Sequence, residues 1–164
     1  MPGPGEMTAK ALICEYAEAI GTKLYVCGGN VTDIAVVGEP PYPVHVALAV
    51  VLQIPWHATD QQHELHVELI FDGPRPRRVP INYRPQDHLP EGERGMIRTA
   101  FHFGRPAELP PGSDLVMPVV FPLYGKPLDD VGPYYFSFWL DGIEVDRVSF
   151  RVRPVEMEMV TAGQ

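Results

Sequence analysis

The chain has 164 residues, 45% of them hydrophobic and 21% charged, which is the balance of one ordinary soluble domain with a core of its own. Its 15 glycines and 19 prolines are too many for a helix bundle and usual for many short strands joined by turns. Thirteen basic residues against 21 acidic ones give a net charge of −8, which repels polyanions and argues against nucleic acid as a partner.

The longest apolar stretch, Val44 to Ile54, is interrupted by His45 and Gln53 and falls short of the roughly 18 residues that a spanning helix needs, so no membrane partner is expected. The opening Met1-Pro2-Gly3-Pro4-Gly5-Glu6 has neither the cationic start nor the apolar segment of a secretory signal. Residues 1–9 therefore read as a flexible leader, and the protein as cytoplasmic.

Lys10–Tyr16 and Lys23–Cys27 are β-prone runs separated by Ala17–Thr22, which predicts an N-terminal hairpin turning near Gly21. A helical turn over Glu15–Ile20 is the alternative, because Ala17, Glu18 and Ala19 are helix formers and Gly21 would stop them. Val31–Val37 suggests a short strand, and the stiff Pro40-Pro41-Tyr42-Pro43 segment leads into the next one rather than serving as a polyproline ligand. From Val44 to Ile54 one phase is Val44, Val46, Leu48, Val50, Leu52 and Ile54, and the other is small or polar, the mark of a strand with one core face.

Leu65, Val67, Leu69 and Phe71 alternate with Glu64, His66 and Glu68 in a half-buried strand ended by Asp72-Gly73-Pro74. Between Pro74 and Glu93 the chain is a long surface excursion in which only Val79–Tyr83 resembles an edge strand. Strand patterns resume at Met96–Phe103 and Asp114–Phe121, where Pro118 demotes the latter to an edge or a bulge. Tyr134–Leu140 and Ile143–Val152 meet at Asp141-Gly142, a pair that fits a type I′ turn.

Eight or nine strands of this kind predict an all-β fold, a two-layer antiparallel sandwich of immunoglobulin-like or similar topology. A partly closed barrel satisfies the same alternation. The single domain spans residues 10–153, followed by a C-terminal tail, 154–164.

His57, Asp60, His63, Glu64, His66 and Glu68 fall within twelve residues, and such donors could build a metal site. On a strand, however, His63 and His66 point to opposite faces, so the cluster reads as solvated strand surface and no metal or other cofactor is expected. Cys14 and Cys27 could lie opposite one another across the first hairpin, but in a reducing compartment they read as two buried thiols. No serine-nucleophile elbow, phosphate loop, dinucleotide fingerprint or zinc-protease motif occurs, and without convergent groups no enzyme activity is expected. Arg75-Pro76-Arg77-Arg78, the one basic run, reads as a solvated loop.

If Phe136 and Phe138 face the core, Tyr135 and Trp139 face outward across Ser137, placing two large aromatics on a sheet surface that Trp56 could join. Such rings anchor protein interfaces or stack on sugars. In the tail, Val155, Met157 and Met159 keep a period of two and could pair with another subunit, fraying being the simpler account.

Glu15-Tyr16-Ala17, Gly21-Thr22-Lys23-Leu24-Tyr25, Gly28-Gly29, Ile54-Pro55-Trp56, Asp72-Gly73, Arg105-Pro106 with Pro111-Gly112, and Gly132-Pro133-Tyr134-Tyr135 together resemble an uncharacterised bacterial family of small β-rich proteins, a domain of unknown function. The resemblance implies a compact β-rich domain and brings no activity, ligand or catalytic residue with it. The expectation is a non-enzymatic protein-interaction or assembly module that binds another protein or itself through Trp56, Tyr135, Trp139, Met157 and Met159. A small-ligand or carbohydrate-binding sandwich is the alternative, and a metal-dependent enzyme built on His57, His63 and His66 a distant third.

Overall fold

A computed structural model describes residues 6–81, 90 and 95–155. Alternation is the rule throughout, and ten strands result among the described residues: β1 (Thr8–Ile20), β2 (Lys23–Gly29), β3 (Asp33–Val36), β4 (Tyr42–Ile54), β5 (Gln62–Phe71), β6 (Arg77–Val79), β7 (Ile97–His102), β8 (Leu115–Leu128), β9 (Gly132–Leu140) and β10 (Ile143–Pro154). A single 3-10 turn, Trp56–Ala58, joins β4 to β5. One sheet has the order β2-β1-β4-β8; the other runs β3-β10-β9-β5-β6, with β7 also paired to β5. The two pack as an open sandwich rather than a barrel. All pairings are antiparallel except β3 with β10, which is parallel.

The apolar phases meet between the sheets. Leu48, Leu52 and Ile54 from β4 face Leu65 and Leu69 from β5 and Tyr134, Phe136 and Phe138 from β9, all at most 1% exposed. Each such side chain contributes roughly 1.5–3 kcal/mol by leaving water. Phe150 stacks on Tyr134 and Phe136 with centroids 5.3 and 5.5 Å away, and Phe71 closes the row at 5.0 Å from Tyr134. The Tyr134 hydroxyl donates to the Asp130 carbonyl at 2.8 Å, and burial pushes its pKa up to about 12. No helix of the described residues is long and apolar enough to cross a membrane.

Several expectations are corrected. The first hairpin turns at Gly21-Thr22 alone, so β1 continues as strand through Ala17–Ile20 and no helical turn forms there. A φ of +60° at Gly21 suits a type II′ turn, which takes glycine first. In the excursion a strand falls at Arg77–Val79; of the expected Val79–Tyr83 strand, Pro80 and Ile81 lie outside the ladder, Ile81 donating to the Gly95 carbonyl at 2.6 Å, and residues 82–83 lie outside the described residues. Arg77 and Arg78 are not a free solvated run, because Arg77 pairs with Asp130 and Arg78 with Glu68 at 2.8 Å. The predicted strand at Asp114–Phe121 continues through two further prolines to Leu128, with Gly125 as an extra bulged residue.

Candidate interaction surfaces

On the outer face of the larger sheet, β9 presents Tyr135, Ser137 and Trp139 as its alternation requires, and each has a neighbour from its own chain. The Arg147 guanidinium lies 4.3 Å from the centre of the Tyr135 ring. His66 stacks on Trp139 at 5.5 Å and 14°. The Ser137 hydroxyl donates to Glu144 Oε1 at 2.5 Å, and Arg147 adds donors to the same carboxylate. These bonds, the serine's first, hold the Glu144 carboxyl below its usual range. Burial holds the His66 pKa down as well. With Glu68 and Arg78 paired beside them, this face is largely occupied by its own charges, although Trp139 Nε1 is buried without a hydrogen-bond partner among the described residues.

Trp56 lies on the β4–β5 connection with a different set of neighbours. Arg105 stacks over its ring at 4.0 Å and donates to Thr59 Oγ1 at 2.9 Å and to the Trp56 carbonyl at 3.2 Å. At the same connection His63 proves to be buried, 7% exposed, and so is not part of a solvated strand face. Its Nε2 donates to the Ala58 carbonyl at 2.7 Å while Nδ1 meets the Asp141 carboxylate at 2.8 Å. The other Asp141 oxygen accepts the Glu64 amide at 2.9 Å. A turn residue of the β9–β10 hairpin thus clasps the start of β5. Nearby, Met7, Lys10, His57, Gln61, Asp141 and Ile143 line an open cleft of about 700 Å³. Among the described residues no three His, Cys, Asp or Glu side chains converge as metal ligands.

The outer face of the smaller sheet is different in kind. Its floor is small: Cys14, Ala47 and Ala49 are at most 1% exposed, and with Ala17 they form a second apolar cluster under Leu12, Leu24 and Val120. Ten large hydrophobic side chains are exposed among the described residues, and six stand on β1, β2 and β8: Tyr16, Ile20, Tyr25, Val26, Val116 and Tyr124, with Tyr25 and Val26 on opposite sides of β2. By register Tyr16 and Cys27 are directly opposed, as are Glu18 and Tyr25. Tyr124, across the sheet, is close enough to Tyr16 to act on its ionisation, although Glu18 is the larger cause that raises it. The exposed side chains on these strands are thus clustered rather than scattered singly.

The cysteines also differ from the expected pair of buried thiols. Both are free, but only Cys14 is buried, and Cys27 is exposed. They face Gly29 and Tyr16 rather than each other. Burial pushes the Cys14 thiol pKa up, while its Sγ–H points at the Ala47 carbonyl, 3.4 Å away.

The sequence profile of a family of unknown function, DUF6941, matches residues 9–153. The chain belongs to this family. No curated protein matches it. The DUF6941 match contains both sheet faces, with Tyr16, Tyr25, Tyr124, Tyr135 and Trp139, and Trp56 besides. Met157 and Met159 fall beyond it, and they also lie outside the described residues. Of the candidates taken from sequence, Tyr135 and Trp139 share one face of this DUF6941 domain and Trp56 has neighbours of its own. Sequence reasoning missed Tyr16, Tyr25 and Tyr124. Their only signal was a tyrosine within a strand run, next to Ala17, Val26 or Leu123, which looks the same whether or not a second layer covers it.

Proposed function

We propose that this DUF6941 domain is a non-enzymatic protein-interaction or assembly module of the bacterial cytoplasm, and that it works through the outer face of its smaller sheet. The gathering of exposed apolar side chains on β1, β2 and β8 carries the reading. Exposed tyrosines around a floor of small, well-packed residues suit a protein surface better than a small molecule, since they offer broad contact area at low conformational cost. Carbohydrate binding through Trp56, Tyr135 and Trp139 is less well supported. Each of those rings already carries Arg105, Arg147 or His66 on a face, and a sugar would have to displace it.

The test compares two double variants in affinity capture from cells: Tyr16→Ser with Tyr124→Ser, and Tyr135→Ser with Trp139→Leu. The reading expects binding partners of the wild type to be lost by the first pair and kept by the second. The reverse pattern would move the site to the larger sheet and overturn this reading.

A further inference from the structure

Every edge of a sheet offers unpaired backbone groups to another chain, and proteins blunt those they do not use. In this domain the two ends of the smaller sheet differ sharply. Strand β8 is fourteen residues long and carries Pro118, Pro122 and Pro127 opposite Val51, Ala47 and Pro43. Pro43 and Pro127 both lack an N–H, so their pair belongs to the set that exchanges no backbone hydrogen bonds. Residues two apart on β4 share that character, which places Pro118 and Pro122 in the same set. All three prolines therefore remove donors from the free side of β8. The bulge at Gly125 keeps Pro127 in this phase; without the extra residue it would face β4.

Strand β2 at the other end has no such device. The two-residue turn makes Ile20 and Lys23 a hydrogen-bonded pair, and the pairs then alternate. Leu24 and Val26 therefore aim their amides and carbonyls away from β1, and neither takes part in a loop or turn hydrogen bond among the described residues. Tyr25, Val26, Cys27, Gly28 and Gly29 are all exposed. From residue 19 to residue 32 the chain has no acidic residue and only Lys23 as a base, although it holds 21 acids in all. A second copy of a chain of net charge −8 therefore meets little like charge along β2 itself, Glu18 on β1 opposite Tyr25 being the nearest acid by register.

We propose that β2 pairs antiparallel with β2 of a second copy about a two-fold axis through Tyr25, joining the two smaller sheets into one. This rests on the interaction reading above and names its partner. Leu24 of each copy then lies opposite Val26 of the other and exchanges both backbone hydrogen bonds with it. Leu24 and Val26 pack on one face and the two Tyr25 rings meet on the other. Each Lys23 falls opposite Cys27 of the other copy, so no like charges are opposed. The arrangement is isologous and closes on itself, as most homodimers do.

Sedimentation velocity on the full chain from dilute to concentrated solution tests it, alongside Val26→Pro. That substitution removes an outward N–H and none that β1 uses, so circular dichroism and the unfolding midpoint serve as its folding control. The expected result is concentration-dependent conversion from 18.3 kDa to twice that mass in the wild type and a folded monomer in Val26→Pro. A second measurement fixes the register. In a Cys27→Ser background, Tyr25→Cys should oxidise to a disulfide-linked dimer, and Lys23→Cys should not. A wild type that stays monomeric at its solubility limit overturns the proposal, as does a dimer that survives Val26→Pro or cross-links through Lys23→Cys instead. If the wild type is monomeric but the Tyr16→Ser with Tyr124→Ser variant still loses its partners, the interaction reading stands and only the choice of a second copy fails.

Discussion

His63 shows how one side chain can tie three segments together. Its ring joins the Ala58 carbonyl to Asp141, which also accepts the Glu64 amide. Replacing it with leucine keeps the volume but strands a buried carbonyl acceptor, so His63→Leu should cost about 2 kcal/mol in urea unfolding. A loss below a few tenths would show the clasp to be ornamental. His66, on the opposite face of β5, makes a pH prediction. Burial lowers its pKa from 6.5 in the folded state, so just below that pH the unfolded chain binds more protons than the native one. Its neutral form therefore stabilises fully above about pH 6.5, and that stability declines as the pH falls below it. Between pH 7.5 and 5.5, His66→Gln should lose less stability than the wild type; equal losses would contradict the assignment.

At the scale of elements, Asp141-Gly142 behaves as its sequence says, with φ of +48° and +81° in a type I′ turn between β9 and β10. The strands of β4, β5, β9 and β10 were legible for the same reason, since one apolar phase per strand determines which side is buried. What alternation cannot state is where a strand stops when prolines lie within it. Strand β8 runs past Pro118 and Pro122 because their missing donors face away from β4, a property of the pairing partner and not of β8 itself. Gly125, at φ +71°, is the extra residue that keeps Pro127 in the same phase. Gly125→Ala should cost about 1–2 kcal/mol, the penalty of a side chain in the left-handed region, read as a drop in melting temperature. Pro122→Thr should leave the melt nearly unchanged but restore an outward donor on a long edge, so light scattering should show more self-association than in the wild type.

For the whole molecule, two sheets facing one core leave two outer faces, and periodicity treats them alike. Sequence correctly put Tyr135 and Trp139 on an outer face, but it could not show that Arg147 and His66 lie against them, because those contacts depend on which strands are neighbours. For the same reason it could not distinguish the face of Tyr16, Tyr25 and Tyr124. Their exposure follows from the strand order β2-β1-β4-β8, in which a hairpin forms one end of a four-stranded sheet. The cysteines repeat the lesson: Cys14 is covered by its neighbours, and Cys27, two registers from the Gly29 partner of Cys14, is not.

The proposal that the smaller sheet, not the larger, is the working surface has a direct test. Hydroxyl-radical footprinting of the chain in concentrated cell extract, compared with the purified chain in dilute solution, tests it without knowing any partner. The account expects protection at Tyr16, Tyr25 and Tyr124 in extract, with Tyr135 and Trp139 oxidised equally in both samples. Protection of Tyr135 and Trp139 with Tyr16 and Tyr124 unchanged would contradict it.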